Sequence, residues 1–359
     1  MPQGRPTKHK LGERKKRTII GADLPETEIF RGDVLIRSLS GSPRSIGCMY
    51  YYDDTGSALF ERLCQEESYY LFRAEKEILA HHAISIAEIT GPVSLVELGA
   101  GNAQKTTLLI DAYMENHGST SYAAIDINRS ILEKAAENLL SMTPDLHFTG
   151  IIGVYQTGLE QAATVTGQKL LVCLGASLGN MYDDELHGLL DSVHSLFSVG
   201  DYFLVGIDLD KSSDILEEAY NNQSAILTNL CVLQHLNWRF DGNFNVFQFR
   251  HVAFHNKSLS RMEAHLEATQ AQFINLGKLE FSFFLEKGER IRTEIMRKVN
   301  LNTFNEIFIK HGLNPVHHWT DSEQRYAACL FQIVGGQDNY QSVSFVGNTM
   351  VDESKSPQG

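Results

Sequence analysis

The sequence predicts an open, mostly parallel α/β sheet with a second lobe of mixed α and β structure inserted into it. Three observations carry this reading. Short β-branched apolar runs alternate with helical patterns from about residue 90 to about residue 210, as in successive βαβ units. After about residue 210 the runs "FQFRHVAFH", "RMEAHLEATQAQFI" and "LEFSFFLEKGERIRTEIMRKV" alternate apolar and polar residues, the pattern of antiparallel sheet. Near the end, "RYAACLFQIV" is again a buried strand, placed to return to the first sheet.

In chain order, "PVSLVEL" (Pro92–Leu98) reads as the first buried strand. Glycines follow, then a helix through "QKTTLLIDAYMEN" with Leu108, Leu109, Ala112 and Tyr113 on one face. "SYAAIDI" is a strand with Asp126 near its end, "RSILEKAAENLLSM" a helix and "LHFTGII" a third strand. "KLLVCLG" (Lys169–Gly175) is a fourth strand, followed by the loop "ASLGNMY". Asp183 is placed to cap the helix "DELHGLLDSVHSLF", and "DYFLVGIDL" (Asp201–Leu209) is a fifth strand. A helical stretch from Ile215 to His235 opens the inserted lobe, and "NTFNEIFIKHG" is a helix after it. Ligands of such sheets bind beyond the C-terminal strand ends, where Gly99, Asp126, Val154–Tyr155, Asn180 and Asp208 fall.

Composition narrows the class. An apolar content of 43% and a charged content of 21% are those of a soluble globular chain. No apolar run of about 18 residues reads as membrane-spanning, and no secretory signal is visible. Five scattered cysteines (Cys48, Cys64, Cys173, Cys231, Cys329) without a C-x-x-C pair point to reduced cytoplasmic thiols rather than disulfides or zinc. A net charge of −13 disfavours nucleic acid as a partner. The exception is local: residues 1–17 carry seven Lys and Arg against Glu13, which reads as a solvated, flexible arm.

The stretch "ELGAGNAQKTT" (Glu97–Thr107) is the chemical focus. A phosphate-binding P-loop starting at Gly99 and ending in Lys105-Thr106 needs a second glycine where Gln104 stands. A dinucleotide fingerprint from Gly99 and Gly101 lacks its third glycine at the same position. S-adenosylmethionine asks for less: glycine where the backbone passes beneath the ligand, and an acid at the next strand end for the ribose hydroxyls. Asp126, 27 residues after Gly99, meets that need. A glycine turn that binds nothing is the remaining alternative.

Taken together, "YYDDTGSALFERLCQEESYYLFRAEKEIL", "LVELGAGNAQKTTLLIDA", "LGASLGN", "VGIDLDKSSDILEEAYNN" and "IRTEIMRKV" resemble the histidine-specific Nα-methyltransferase family, from about Tyr50 to Phe331. The resemblance implies a Rossmann-like class I methyltransferase sheet with an inserted α+β substrate-recognition lobe. It also implies S-adenosylmethionine as cofactor, and methylation of the α-amine of free histidine to hercynine, as in ergothioneine biosynthesis. By the same resemblance Gly99, Gly101, Lys105, Asp126, Val154 and Tyr155 contact the cofactor. Tyr52 and Asn180 serve the chemistry, and Tyr69, Asn180 and Tyr220 hold the amino-acid end. Val154 stands where the family has an aspartate beside the adenine. In the side-chain pocket Glu294 keeps the acid that meets an imidazole N–H, whereas Met296 replaces a serine and Ala264 a methionine. Another aromatic amino acid, such as tryptophan or tyrosine, is therefore the competing substrate. A cofactor-binding homologue without turnover is a further alternative.

The implied organisation is a basic arm (1–45), a recognition lobe (46–73 with 211–297), a methyltransferase domain (74–210 with 298–335) and a loose tail (336–359). A monomer in the cytoplasm, acting on a small molecule and needing neither membrane nor metal, completes the expectation.

Overall fold

The computed structural model describes residues 16–21 and 29–335, with two short backbone pairs at 345–346 and 349–350. The basic arm up to Lys15 and most of the tail lie outside the described residues. The strands are β1 (Arg17–Ile20), β2 (Arg44–Ser45), β3 (Ser94–Leu98), β4 (Ser121–Asp126), β5 (His147–Ile152), β6 (Lys169–Cys173) and β7 (Tyr202–Asp208). They continue with β8 (Phe249–Asn256), β9 (Arg261–Ala268), β10 (Gln272–Leu276), β11 (Phe281–Leu285), β12 (Arg290–Arg297), β13 (Leu313–Thr320) and β14 (Tyr326–Ile333).

The main sheet has eight strands in the order β1-β5-β4-β3-β6-β7-β14-β13. All its pairs are parallel except those of β14, which runs antiparallel to β7 and β13. This is the Rossmann-like arrangement. Strand order reverses between β3 and β6, so the crevice beyond their C-terminal ends is the topological switch point. Helices cover both faces because the strands are apolar on both: Leu95, Val96, Leu98, Leu170, Leu171 and Val172 are fully buried. The second sheet, β2-β12-β9-β8, is antiparallel but for the short β2–β12 pair, and a hairpin of β10 and β11 stands beside it.

Several elements depart from the sequence reading. The arm is not featureless between residues 17 and 45: β1 joins the sheet edge beside β5, and Gly32–Ser40 is a helix. The basic charges masked the β-branched run Thr18-Ile19-Ile20, whose Ile19 packs over Gly150 of β5. The stretch Ile215–His235 is two helices, Ser213–Tyr220 and Gln223–Phe240, and the Asn222 side chain caps the second by accepting the Ala225 N–H at 2.9 Å. Asp183 is not the cap of its helix. Tyr182 is, and its N–H donates to the Glu185 carboxylate at 2.8 Å. Strand β13 went unread because Pro315 and paired histidines break the apolar pattern; proline is tolerated on this sheet-edge strand.

Candidate active site

Beyond β3 the chain turns through Gly99, Gly101 and Ala103, all at positive φ (68°, 52° and 55°). At Gly99 a Cβ would lie 2.9 Å from the Tyr155 hydroxyl, so the loop passes beneath that ring only as glycine. Asp126, at the end of β4, holds the loop in place. One of its carboxylate oxygens accepts the Gly101 N–H and the other the Asn128 N–H, each at 2.9 Å. Burial raises its carboxyl above the ordinary carboxylate range, while those backbone hydrogen bonds pull it back. Asn128 then ties this strand end to residues 52–57, donating to the Tyr52 carbonyl at 3.3 Å and the Ser57 hydroxyl at 3.2 Å.

Just before the loop, Glu97 is buried and accepts the Thr106 hydroxyl at 2.8 and 2.7 Å and the Tyr122 hydroxyl. Burial pushes its carboxyl from 4.5 up to about 7. The unfolded chain loses this proton first, so the contribution to stability falls as pH rises from 4.5 to about 7 and is flat above. Glu97→Gln should remove this fall, which totals about 3 kcal/mol across the window. Urea denaturation of both proteins at pH 5 and pH 8 checks this; parallel profiles would refute it.

A cleft of about 870 Å³ opens at the switch point. Gly99, Gly101, Lys105, Asp126, Val154 and Tyr155 line it together with Tyr52, Tyr69, Asn180, Glu294 and Met296. A small void of about 30 Å³ lies behind it, lined by Tyr52, Tyr69, Tyr220, Ala264 and Glu294 among others. Four residues therefore border both spaces: Tyr52, Phe60, Tyr69 and Glu294. The aromatic wall is built edge to face, Tyr52 on Phe60 at 5.8 Å, Phe60 on Tyr69 at 6.3 Å and Tyr69 on Tyr220 at 6.1 Å. Burial holds all three tyrosines far above the ordinary phenol range, so they are neutral donors and acceptors rather than bases.

Glu294 owes its direction to a local irregularity. The β12–β9 register shifts between Arg292 and Glu294, which inserts Thr293 and brings Glu294 opposite Ala264. The Thr293 hydroxyl donates to Asn229 Oδ1 at 2.6 Å, and the Tyr51 hydroxyl donates to the same oxygen at 2.9 Å. The Asn229 amide donates to His251 Nδ1 at 2.8 Å. Burial lowers the His251 pKa, and the neutral ring donates its Nε2–H to the Tyr220 carbonyl at 2.9 Å. Glu294 itself accepts the Asn180 amide at 3.0 Å. Burial raises its carboxyl, and the Asn180 hydrogen bond and the Lys298 charge oppose the rise.

Two expected residues sit differently from a simple lining. Met296 is buried opposite Met262, with its sulfur filling the space over Gly179 in the turn that carries Asn180. Lys105 borders the cleft, but its ammonium is ion-paired with Glu75. Glu75 was missed in the sequence. Its signal was a charge on the apolar face of the helix Leu71–Thr90, among Leu71, Ala74, Ile78 and Leu79.

The loop fits an adenosine-bearing ligand without phosphates. Its glycines admit close backbone approach, and each Asp126 oxygen keeps a lone pair after its backbone contact. Comparison with known proteins agrees. The profile of a family described as histidine-specific, S-adenosylmethionine-dependent methyltransferases matches residues 30–333. The histidine N-alpha-methyltransferase of Mycolicibacterium smegmatis is 29% identical over 296 residues, covering 82% of this chain and 92% of that protein. Its counterpart in Mycobacterium tuberculosis is 28% identical over 294 residues, 81% and 91% respectively. An L-tryptophan methyltransferase of Psilocybe serbica is 25% identical over 313 residues, 79% and 86%. With the profile spanning the sheet, the glycine loop and the inserted lobe, this chain belongs to the histidine-specific, S-adenosylmethionine-dependent methyltransferase family.

Proposed function

We propose that the protein methylates the α-amine of free histidine, with the cofactor along Gly99, Gly101, Lys105, Asp126, Val154 and Tyr155 and the amino acid between Tyr52, Tyr69, Asn180, Tyr220 and Glu294. The observation that carries the reading is Glu294: a carboxylate shared by the cleft and the inner void, with one oxygen on Asn180 and no hydrogen-bond donor from the protein at the other among the described residues. An imidazole N–H is the complement such a group asks for.

When bound, S-adenosylmethionine supplies an electrophilic methyl carbon on a sulfonium. The residues of this chain supply alignment. In-line displacement rewards fixed approach of the amine more than any acid or base. The neutral phenols of Tyr52 and Tyr69 hold the uncharged amine and turn its lone pair towards the methyl. No group among them is basic enough to take a proton from an ammonium, so the amine sheds it to solvent before binding. Asn180 bridges the amino-acid end and Glu294. Asp126 fixes the ribose end, and Val154 offers the adenine only backbone and apolar surface where a carboxylate would accept a hydrogen bond.

A larger aromatic amino acid, tryptophan foremost, is the second reading. It is favoured by Ala264, which faces Glu294 across the strand pair and leaves the inner void open. We further infer two lobes meeting at this cleft, residues 46–73 with 211–297 and residues 74–210 with 298–335, in a monomeric, cytoplasmic enzyme of small molecules rather than nucleic acid. The net charge of −13 supports the last point, and among the described residues no helix is long and apolar enough to cross a membrane.

The test is calorimetric titration with S-adenosylmethionine, followed by mass spectrometry of reactions with each of the twenty amino acids. Histidine should gain the mass of one CH₂ for each N–H replaced by N–CH₃. Binding without any methylated amino acid would leave a cofactor-binding protein and overturn the proposed reaction.

A further inference from the structure

Glu75 stands outside the ligand-lining set, yet it touches both the glycine loop and the turn that carries Asn180. It is completely buried on the helix Leu71–Thr90, which begins two residues after Tyr69. Its carboxylate pairs with Lys105, the last residue of the glycine loop before the helix Thr106–His117. Both of its oxygens lie 2.9 Å from the Gly175 N–H, where the turn leading to Asn180 begins. One oxygen also accepts the Tyr326 hydroxyl at 2.8 Å, from β14. Strand β7 makes room for this: a Cβ on Gly206 would lie 1.9 Å from the Glu75 carboxylate and 2.5 Å from the Tyr326 hydroxyl.

These contacts span the switch point. The glycine loop leaves β3, the Asn180 turn leaves β6, and these two strands are neighbours whose connections diverge. A single charge accepts donors from both loops and from β14, and charge-assisted hydrogen bonds are the strong, short ones. We propose that Glu75 is the positioning residue that fixes the cofactor loop and the Asn180 turn at one separation, and so sets the distance between methyl donor and amine. The inference rests on the methyl-transfer reading above. It makes the Lys105 ammonium a shared group, held on its protein side by Glu75 and free on its cleft side for an anionic part of the cofactor.

The role predicts an unusual split. Each loop can still bind its own ligand when the tie is cut, but the two ligands no longer meet in line, and misplacement on the order of 1 Å costs about 100-fold in rate. Glu75→Gln keeps the shape and loses the charge that draws Lys105. In the full-length protein, kcat for the amino acid identified by the screen should fall about 10- to 100-fold, while calorimetric Kd values for S-adenosylmethionine and for the amino acid stay within about threefold. Glu75→Asp keeps the charge but withdraws it by one methylene, about 1.5 Å, and should show the same split. Tyr326→Phe removes one neutral donor and should lower kcat less than either.

Wild-type binding and turnover are measured first. Their absence overturns the methyl-transfer reading and this inference with it. With wild-type turnover in hand, a Glu75→Gln protein that keeps its kcat overturns the role of Glu75 alone. So does a loss shared equally between kcat and both Kd values, which marks a general structural defect. Failure of both Glu75 variants to fold also overturns it, because the residue then serves stability and not the spacing of the loops.

Discussion

Asp126→Ala should weaken S-adenosylmethionine binding by at least about 100-fold, the largest effect expected of any single cofactor-site change. The carboxylate offers its outer lone pairs to the ribose hydroxyls, and each charge-assisted hydrogen bond is worth about 1.5–3 kcal/mol. Its inner lone pairs already hold the Gly101 and Asn128 N–H groups, so alanine also releases the loop on which the cofactor lies. Asparagine should be little better. Both carboxylate oxygens face backbone donors, and an amide must turn its NH₂ against one of them. Calorimetry of the two variants is decisive, with the Asp145→Ala protein as control: that exposed carboxylate pairs with Lys16 on the surface, and the variant should bind like wild type. Affinity within about threefold of wild type for Asp126→Ala would remove the ribose from this position.

The second large effect belongs to Glu294, and its sign reports the substrate. For histidine or tryptophan the ring N–H donates to this carboxylate, and Glu294→Ala should cost about 100-fold in kcat/KM, equivalent to a charged hydrogen bond of ~2–3 kcal/mol. For a phenylalanine-like substrate a buried, unmatched carboxylate opposes binding, and the same change should improve kcat/KM. Alanine also frees Asn180, which donates to Glu294. Glu294→Gln separates the two contributions, since the amide oxygen still accepts from Asn180 while the charge is gone. Met296→Ser together with Ala264→Met should then move preference towards histidine, because these positions lie diagonally across the β9–β12 pair on the face that bears Glu294. Kinetics with histidine, tryptophan and phenylalanine read all of these. If no variant changes the ranking of the three, the side-chain pocket lies elsewhere.

The readable part of this protein was the part set by short-range pattern. Strands β3 to β7 are apolar on both faces, and their spacing with helices made the parallel sheet legible. Glycine at 99, an acid at 126 and the "LGASLGN" turn marked the crevice. What stayed hidden depends on partners distant in sequence. Strand β1 is four residues long and gains its place only by pairing with β5. Strand β13 carries Pro315 and two histidines, which no alternation rule reads as strand. The register shift at Thr293 cannot be seen in "RTEIMR", yet it decides where Glu294 faces. Glu75 and Lys105 lie 30 residues apart, and only the fold sets them against each other.

The Tyr326–Glu75 hydrogen bond closes a separation of 251 residues. During synthesis at about 5–20 residues per second, the carboxylate would be made roughly 10–50 s before the strand that brings its last partner. Through that interval the nascent sheet lacks β14, and the pocket of Glu75 is open on the side that Tyr326 later covers. Completion of the Glu75 contact set is therefore a late event in synthesis. A growing chain carries Glu75 and its partners Lys105 and Gly175 well before Tyr326 can complete the set.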